Sequence, residues 1–203
     1  MKDGLSNIKK VFAPLGASNH SSSARQEDDF YATDPVAIEK LMEFETFSEC
    51  IWECACGAGH LSKQLESNGY KVISTDLVYR GYGDGGIDFL AIDNRQTYDC
   101  DIVTNPPYKY ALDFVKQALN LVSTGHKVAM FLRLQFLEGK ERRAFFDEHP
   151  PKYIYVSSGR INCCKNADFS YQNRKKCSSA VAYAWFIWIK DDEKSQPIIR
   201  WFN

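Results

Sequence analysis

The chain has 203 residues, 44% hydrophobic and 25% charged, with a formal net charge of −1. That length suits one α/β domain with a full core and little room for a second, and the charge excludes polyanion binding by the protein as a whole. No apolar run approaches the ~18 residues a membrane span needs, no secretory signal opens the chain, and seven cysteines without framework spacing fit reduced thiols in a cytoplasm better than a disulfide scaffold.

Residues 1–24, with Gly16-Ala17-Ser18-Asn19-His20-Ser21-Ser22-Ser23, are too polar and small to pack and read as a flexible lead. Residues 25–203 are expected to form one domain. Phe30-Tyr31-Ala32-Thr33-Asp34-Pro35 precedes a short amphipathic segment with Ile38, Leu41 and Met42 on its buried stripe. Thr33 or Asp34 can cap that helix, and Pro35 suits its first turn. A helix start with Thr beside it can receive a carboxylate, or it is simply a capped helix.

Cys50-Ile51-Trp52-Glu53-Cys54 reads as a first strand running into Ala55-Cys56-Gly57-Ala58-Gly59-His60 and a helix from Leu61 to Asn68. Small residues there let a backbone approach a ligand closely. The loop is G-x-G-x-x-S, ending in Ser62, and lacks the third Gly of the dinucleotide fingerprint. A second strand, Lys71 to Asp76, ends in a carboxylate 19 residues after Gly57, where an acidic side chain can take two ribose hydroxyls. Arg80 to Gly86 is a Gly-rich loop, and a third strand is expected to end near Ile87-Asp88-Phe89-Leu90. Asp88 and Phe89 there suit a purine's amino group and ring, or Phe89 is core and Asp88 a cap.

A fourth strand through Ile102 and Val103 leads into Asn105-Pro106-Pro107-Tyr108, followed by a helix with Ala111, Phe114, Val115, Ala118 and Leu119 on one face. A turn at the carboxyl end of a strand lies where open α/β sheets bind ligands. Two prolines fix the backbone and remove two N–H donors, so the turn presents carbonyl oxygens. With the Asn amide oxygen they can grip an –NH2 group, and Tyr108 offers a flat face to a planar ring. A stiff Pro-rich turn with an exposed Tyr is the plainer alternative.

Lys127 to Leu132 is a fifth strand, Glu138 to Glu148 a charged helix stopped by Pro150-Pro151, Tyr153 to Val156 a sixth strand and Ser179 to Ile189 a seventh. From Lys152 to Lys176 the cations Lys152, Arg160, Lys165, Arg174, Lys175 and Lys176 meet Asp168 alone, with Phe169 and Tyr171 among them. A basic, aromatic loop over 157–178 suits nucleic acid, or is a solvated loop pinned by its aromatics. Cys163, Cys164 and Cys177 lack a fourth ligand at finger-like spacing, so no metal site is expected.

With these residues in place, the chain resembles the S-adenosylmethionine-dependent adenine-N6 DNA methyltransferases, specifically the small phage or prophage type. The likeness covers roughly residues 28–189. It rests on Asn105-Pro106-Pro107-Tyr108, on Trp52-Glu53-Cys54-Ala55-Cys56-Gly57-Ala58-Gly59 and on the Phe30-Tyr31-Ala32-Thr33 entry. That order separates it from amino-methyltransferases with an unrelated N-terminal helical domain.

The resemblance implies an α/β, Rossmann-like fold with a seven-stranded, mostly parallel sheet, one antiparallel strand and helices on both faces. It implies S-adenosyl-L-methionine as cofactor, with Tyr31 and Thr33 at its methionine end. Glu53, Cys54, Ala55, Gly57 and Gly59 would line it, Asp76 would take its ribose, and Asp88 and Phe89 its adenine. Asn105, Pro106, Pro107 and Tyr108 would hold a target base of DNA, with the loop from Arg160 to Lys176 against the nucleic acid. Cys54 stands where relatives often have Pro. No long insertion follows the catalytic turn, which leaves sequence specificity to residues 133–177. RNA, a protein glutamine amide, or a silent binding role stay open at this point.

Overall fold

The computed structural model describes residues 32–159, 161, 163–164, 181–192 and 196–203. Tyr31, the lead at 1–24 and most of the basic segment, including Arg160 and Lys165 to Lys176, lie outside the described residues.

A seven-stranded sheet forms the centre. Its strands are β2 (Cys50–Glu53), β3 (Lys71–Ser74), β4 (Asp101–Thr104), β5 (Lys127–Arg133), β6 (Tyr153–Ser157), β8 (Tyr183–Ile189) and β9 (Ile198–Phe202), in the order β3-β2-β4-β5-β8-β6-β9. Strand β8 runs against both of its neighbours and every other pairing is parallel. Two short strands, β1 (Ala32–Thr33) and β7 (Cys163–Cys164), pair antiparallel outside this sheet.

Successive side chains on a strand point to opposite faces, so the continuous apolar runs of the central strands make the sheet apolar on both sides. Ile102, Val128, Met130, Leu132 and Phe186 belong to one buried cluster with Phe114, Val115 and Ala118 of helix α3 (Ala111–Leu121) and Phe145 of helix α4 (Lys140–Glu148). Val103, Ala129, Phe131, Trp185 and Ile187 belong to the other cluster. Ile38 and Leu41 of helix α1 (Val36–Met42) and Leu61 and Leu65 of helix α2 (His60–Ser67) pack there. The tryptophans keep their indole N–H groups satisfied where they are buried. Trp52 donates to Thr75 Oγ1 at 2.9 Å, Trp185 to the Ala37 carbonyl at 2.9 Å and Trp188 to the His149 carbonyl at 3.0 Å.

Two expectations need correction. The segment expected to close a third strand near Ile87–Leu90 carries instead a 3-10 turn, Phe89–Ala91, capped by the Asp88 side chain on Leu90 N–H at 3.0 Å. The preceding Gly-rich segment folds back on the end of β3. Asp84 N–H reaches the Ser74 carbonyl and Asp76 N–H the Asp84 carbonyl, both at 2.9 Å. Gly83, at φ 64°, makes this possible, since a Cβ there would lie 2.5 Å from the Ser74 oxygen. The seventh strand of the sheet is supplied by Ile198–Phe202, which lies beside β6 at the far edge. Its sequence Ile-Ile-Arg-Trp-Phe is rich in the β-branched and aromatic types that strands favour.

Candidate active site

The carboxyl ends of β2, β3 and β4 open onto one cavity of about 520 Å³, inside the range of small-molecule and cofactor pockets. Thr33, Glu53, Cys54, Ala55, Asp76, Asp88, Phe89, Asn105, Pro106, Pro107 and Tyr108 all line it. Residues 72 positions apart in the chain thus meet in one concave surface.

The loop after β2 sets one end. Gly57 N–H donates to Asp76 Oδ2 at 2.8 Å, and Val78 N–H to Asp76 Oδ1 at 2.9 Å. Each carboxylate oxygen accepts one of these bonds and retains capacity for a second, since the group offers about four acceptor sites. Gly57 and Gly59 adopt φ of 56° and 78°, a region that favours glycine. A Cβ on Gly59 would stand 2.2 Å from the Tyr82 ring. Neither glycine is among the lining residues: Gly57 braces Asp76, and Gly59 starts α2 while making room for Tyr82. Leu77 and Ile87, 60% and 37% exposed, flank Asp76 at the rim and present apolar side chains there.

Glu53 is 2% exposed. Its carboxyl is hydrogen-bonded to the Ser62 hydroxyl, which accepts in turn from Ser74 Oγ at 2.8 Å. Burial pushes its pKa up to about 8, and the Ser62 hydrogen bonds only partly offset that. Cys54 and Cys56 are buried, and desolvation raises both thiols, Cys56 to about 12. They pack as small apolar groups. Burial, with Lys63 nearby, lowers the pKa of His60, a cavity residue at the start of α2.

Phe89 is 2% exposed, edge-on to Trp52 at 5.4 Å and stacked on Phe114 at 5.1 Å. Its ring belongs to the core. Asp88 is exposed and caps the 3-10 turn, so of the two readings the core-and-cap one describes their bonding, although both residues still border the cavity.

The turn after β4 forms the other end. Asn105 Nδ2 donates to Thr33 Oγ1 at 2.6 Å, which orients the amide. Tyr108 opens a 3-10 turn, and Tyr110 N–H closes on the Pro107 carbonyl at 2.9 Å. The Arg133 guanidinium, at the carboxyl end of β5, lies 4.3 Å from the centre of the Tyr108 ring. Tyr183, opposite Arg133 in the β5–β8 register, tilts against the same ring at 5.9 Å. Tyr108 is therefore a held ring rather than a loose one. The role of Arg133 had no signal in the chain beyond its place at a strand end.

Thr33 also ties this end to the basic segment, because it pairs with Cys163 in the β1–β7 ladder. Among the described residues no group of His, Cys, Asp and Glu is arranged to hold a metal ion, and no helix is long and apolar enough to cross a membrane.

No family model and no curated protein matches the chain. Solved structures do. A putative class I S-adenosylmethionine-dependent methyltransferase from Listeria monocytogenes is 14% identical with a TM-score of 0.55, over 99% of this chain and 74% of that one. A modification subunit of a putative type I restriction enzyme from Vibrio vulnificus is 12% identical with a TM-score of 0.56, over 97% of this chain and 50% of that one. The methyltransferase subunit of a type I restriction-modification system from Streptococcus thermophilus is 9% identical with a TM-score of 0.55, over 75% of this chain. The chain spans 41% of that Streptococcus structure. Likeness at this identity speaks for architecture, and with the strand order and the cavity at the sheet's carboxyl edge it gives one conclusion: the chain has the α/β, Rossmann-like fold of the methyltransferases.

Proposed function

We propose that the protein transfers a methyl group from S-adenosyl-L-methionine to the exocyclic N6 amino group of adenine in DNA, as a compact methyltransferase of the Asn-Pro-Pro-Tyr class. The observation that carries this reading is the position of Asn105-Pro106-Pro107-Tyr108. The turn ends β4 and walls the same cavity as Asp76, with the Asn105 amide fixed by Thr33 at 2.6 Å. Two of the structural neighbours are named as restriction-modification methyltransferase or modification subunits, which favours DNA over other amines. The basic, aromatic segment between β6 and β8 favours nucleic acid over a protein amide.

The cavity fits this cofactor. Asp76, held open by two backbone N–H groups, has acceptor sites for a pair of ribose hydroxyls, and Leu77 and Ile87 supply apolar surface for a flat ring beside it. Thr33, with Tyr31 as the resemblance implies, would border the methionine end, and the buried Glu53 lines the same cavity. When bound, the cofactor supplies an activated methyl on a sulfonium. The protein's work is orientation and exclusion of water. Adenine must leave the helix stack, at a cost of a few kcal/mol, and settle against Tyr108, whose ring Arg133 and Tyr183 already fix. Asn105 Oδ1 and the Pro106 carbonyl accept from the N6 amino group and aim its lone pair at the methyl. As the N–C bond forms and the sulfonium S–C bond breaks to leave a neutral thioether, the displaced N6 proton passes to solvent.

The test is Asn105→Ala in single-turnover methylation of DNA at saturating labelled cofactor, with product nucleosides separated. Transfer is expected to fall by about 10²-fold or more, with melting temperature and cofactor affinity largely retained. Near wild-type methylation of adenine by that variant would sink the mechanism. Label in RNA or in glutamine, and not in DNA, would move the substrate assignment.

A further inference from the structure

The hydrogen bond between Asn105 and Thr33 has a chemical direction, and that direction decides which end of the amide faces the cavity. Asn carries a donor and an acceptor end, and only the acceptor end can receive a proton from a target –NH2. A hydroxyl is compatible with either arrangement. It can accept from the amide NH2, or donate to the amide oxygen and so turn the NH2 toward the substrate, where two donors would face each other.

In the structure Thr33 accepts. It is 3% exposed, lies on β1 locked into register with Cys163, and borders the cavity with its side chain engaged by Asn105. While the hydroxyl oxygen accepts from the amide NH2, which offers no acceptor in return, its own proton is directed away from Asn105, and the cavity it borders is where an acceptor can arrive.

We propose that Thr33 is a positioning residue for Asn105. Its hydroxyl oxygen holds the amide NH2 so that Oδ1 points at the substrate amine, and an acceptor carboxylate in the cavity fixes this by taking the Thr33 proton. The inference rests on the proposed function in identifying that carboxylate as the cofactor's own. Cofactor binding then completes the catalytic amide as well as delivering the methyl, which makes cofactor-first binding the productive order.

The test combines rate and spectroscopy on the full chain. Thr33→Val keeps the shape and removes the hydroxyl, Thr33→Ser keeps the hydroxyl, and Asn105→Asp makes both ends of the side chain acceptors. Single-turnover transfer at saturating cofactor is expected to fall about 10- to 100-fold in Thr33→Val, as a misaligned reacting group does, and to recover in Thr33→Ser. In the Asn105→Asp background the same Thr33→Val change is expected to cost less than about threefold, because a carboxylate has no wrong end. Equal losses in both backgrounds would show that Thr33 serves the cofactor alone and would overturn the proposal.

The second readout needs no turnover. The Asn105 side-chain NH2 signal, identified by its loss in Asn105→Ala, is expected to shift and exchange faster in Thr33→Val. Adding S-adenosylmethionine should slow its exchange in the wild type, whereas 5′-methylthioadenosine, which lacks the carboxylate, should not. A signal indifferent to Thr33→Val overturns the proposal even if Asn105→Asp is too slow to time. Wild-type transfer to RNA or glutamine rather than DNA revises the substrate only, and the cycle is then run on that amine.

Discussion

Glu53 offers the most quantitative test of the cavity's interior. It is 2% exposed, and burial lifts its carboxyl to about 8 from an ordinary value of 4.5. Below pH ~4.5 the group is neutral in both the folded and the unfolded chain, and it costs the fold nothing through ionisation. Above that the unfolded chain releases the proton while the folded one keeps it. Stability is therefore lost as pH rises, until the folded group itself ionises near 8. At about 1.4 kcal/mol per pH unit, the loss between pH 4.5 and 7 is about 3 kcal/mol. Glu53→Gln carries no such linkage, although its amide needs its own partners and shifts the whole curve by a constant. The quantity to measure is therefore the difference in unfolding free energy between wild type and Glu53→Gln, by urea denaturation of the cofactor-free protein from pH 4.5 to 8. Relative to the variant, the wild type should lose about 3 kcal/mol by pH 7, equivalent to roughly 6–12 °C in the difference of melting temperatures for a domain of this size. Parallel curves would refute the reasoning and mean that water reaches the carboxyl.

Asp76→Ala should weaken S-adenosylmethionine binding about 10- to 100-fold, through loss of charge-assisted hydrogen bonds; unchanged affinity by calorimetry would remove Asp76 from the site. Replacing Arg174, Lys175 and Lys176 together by Ala should lower the slope of log affinity for duplex DNA against log salt by about 2 to 3, at ~0.9 for each phosphate no longer neutralised. An unchanged slope would make that segment a solvated surface. Arg133→Met removes the cation from the Tyr108 ring, an interaction worth roughly 0.5–2 kcal/mol, and should slow transfer several-fold with cofactor affinity intact. Arg133→Lys should restore only part of the rate, since an ammonium does not stack as a guanidinium plane does; full activity in Arg133→Met would show the stacked cation to be idle.

Much of the scaffold was legible because continuous apolar runs such as Val128 to Leu132 must be buried on both faces of a central sheet. Ile51, Val103, Ala129 and Phe131 turn one way, and Ile102, Val128 and Met130 the other. The turns at strand ends were legible for a related reason: Glu53, Asp76 and Asn105 each stand at or just past the end of a strand, and parallel strands present those ends on one edge. What the pattern hid was tertiary. Phe89 looks the same in a sequence whether it flanks a ligand or fills the space between Trp52 and Phe114. The Gly-rich segment before it gives no sign that it folds back onto Ser74, because a backbone ladder of that kind depends on glycine angles rather than on side-chain pattern. Strand β9 returns to the end of β6 from far along the chain, with Ser158 and Phe202 bonded at a separation of 44 positions, a long-range choice that local pattern does not encode. Arg133 met Tyr108 only once β5 and β4 were neighbours.

The two loops at the cavity's ends divide its hydrogen-bonding chemistry between them. After β2, glycines leave every backbone N–H in place and let it approach closely. The Gly57 N–H is directed to Asp76, so that end gathers a carboxylate whose geometry is fixed by donors. After β4, two prolines delete N–H groups in succession and the Asn105 NH2 is engaged by Thr33, which leaves the carbonyl of Pro106 and the oxygen of Asn105 as acceptors on the turn. Under the proposed function, ribose hydroxyls would meet the first end and the target –NH2 the second. A change such as Pro106→Ala restores a donor at the acceptor end and loosens φ together. The sheet holds the two chemistries at a constant separation because β2 and β4 are adjacent, parallel and in register from Ile51 beside Asp101 to Trp52 beside Ile102. The order of glycines and prolines along this chain thus becomes, through strand adjacency alone, a polarity across the cavity.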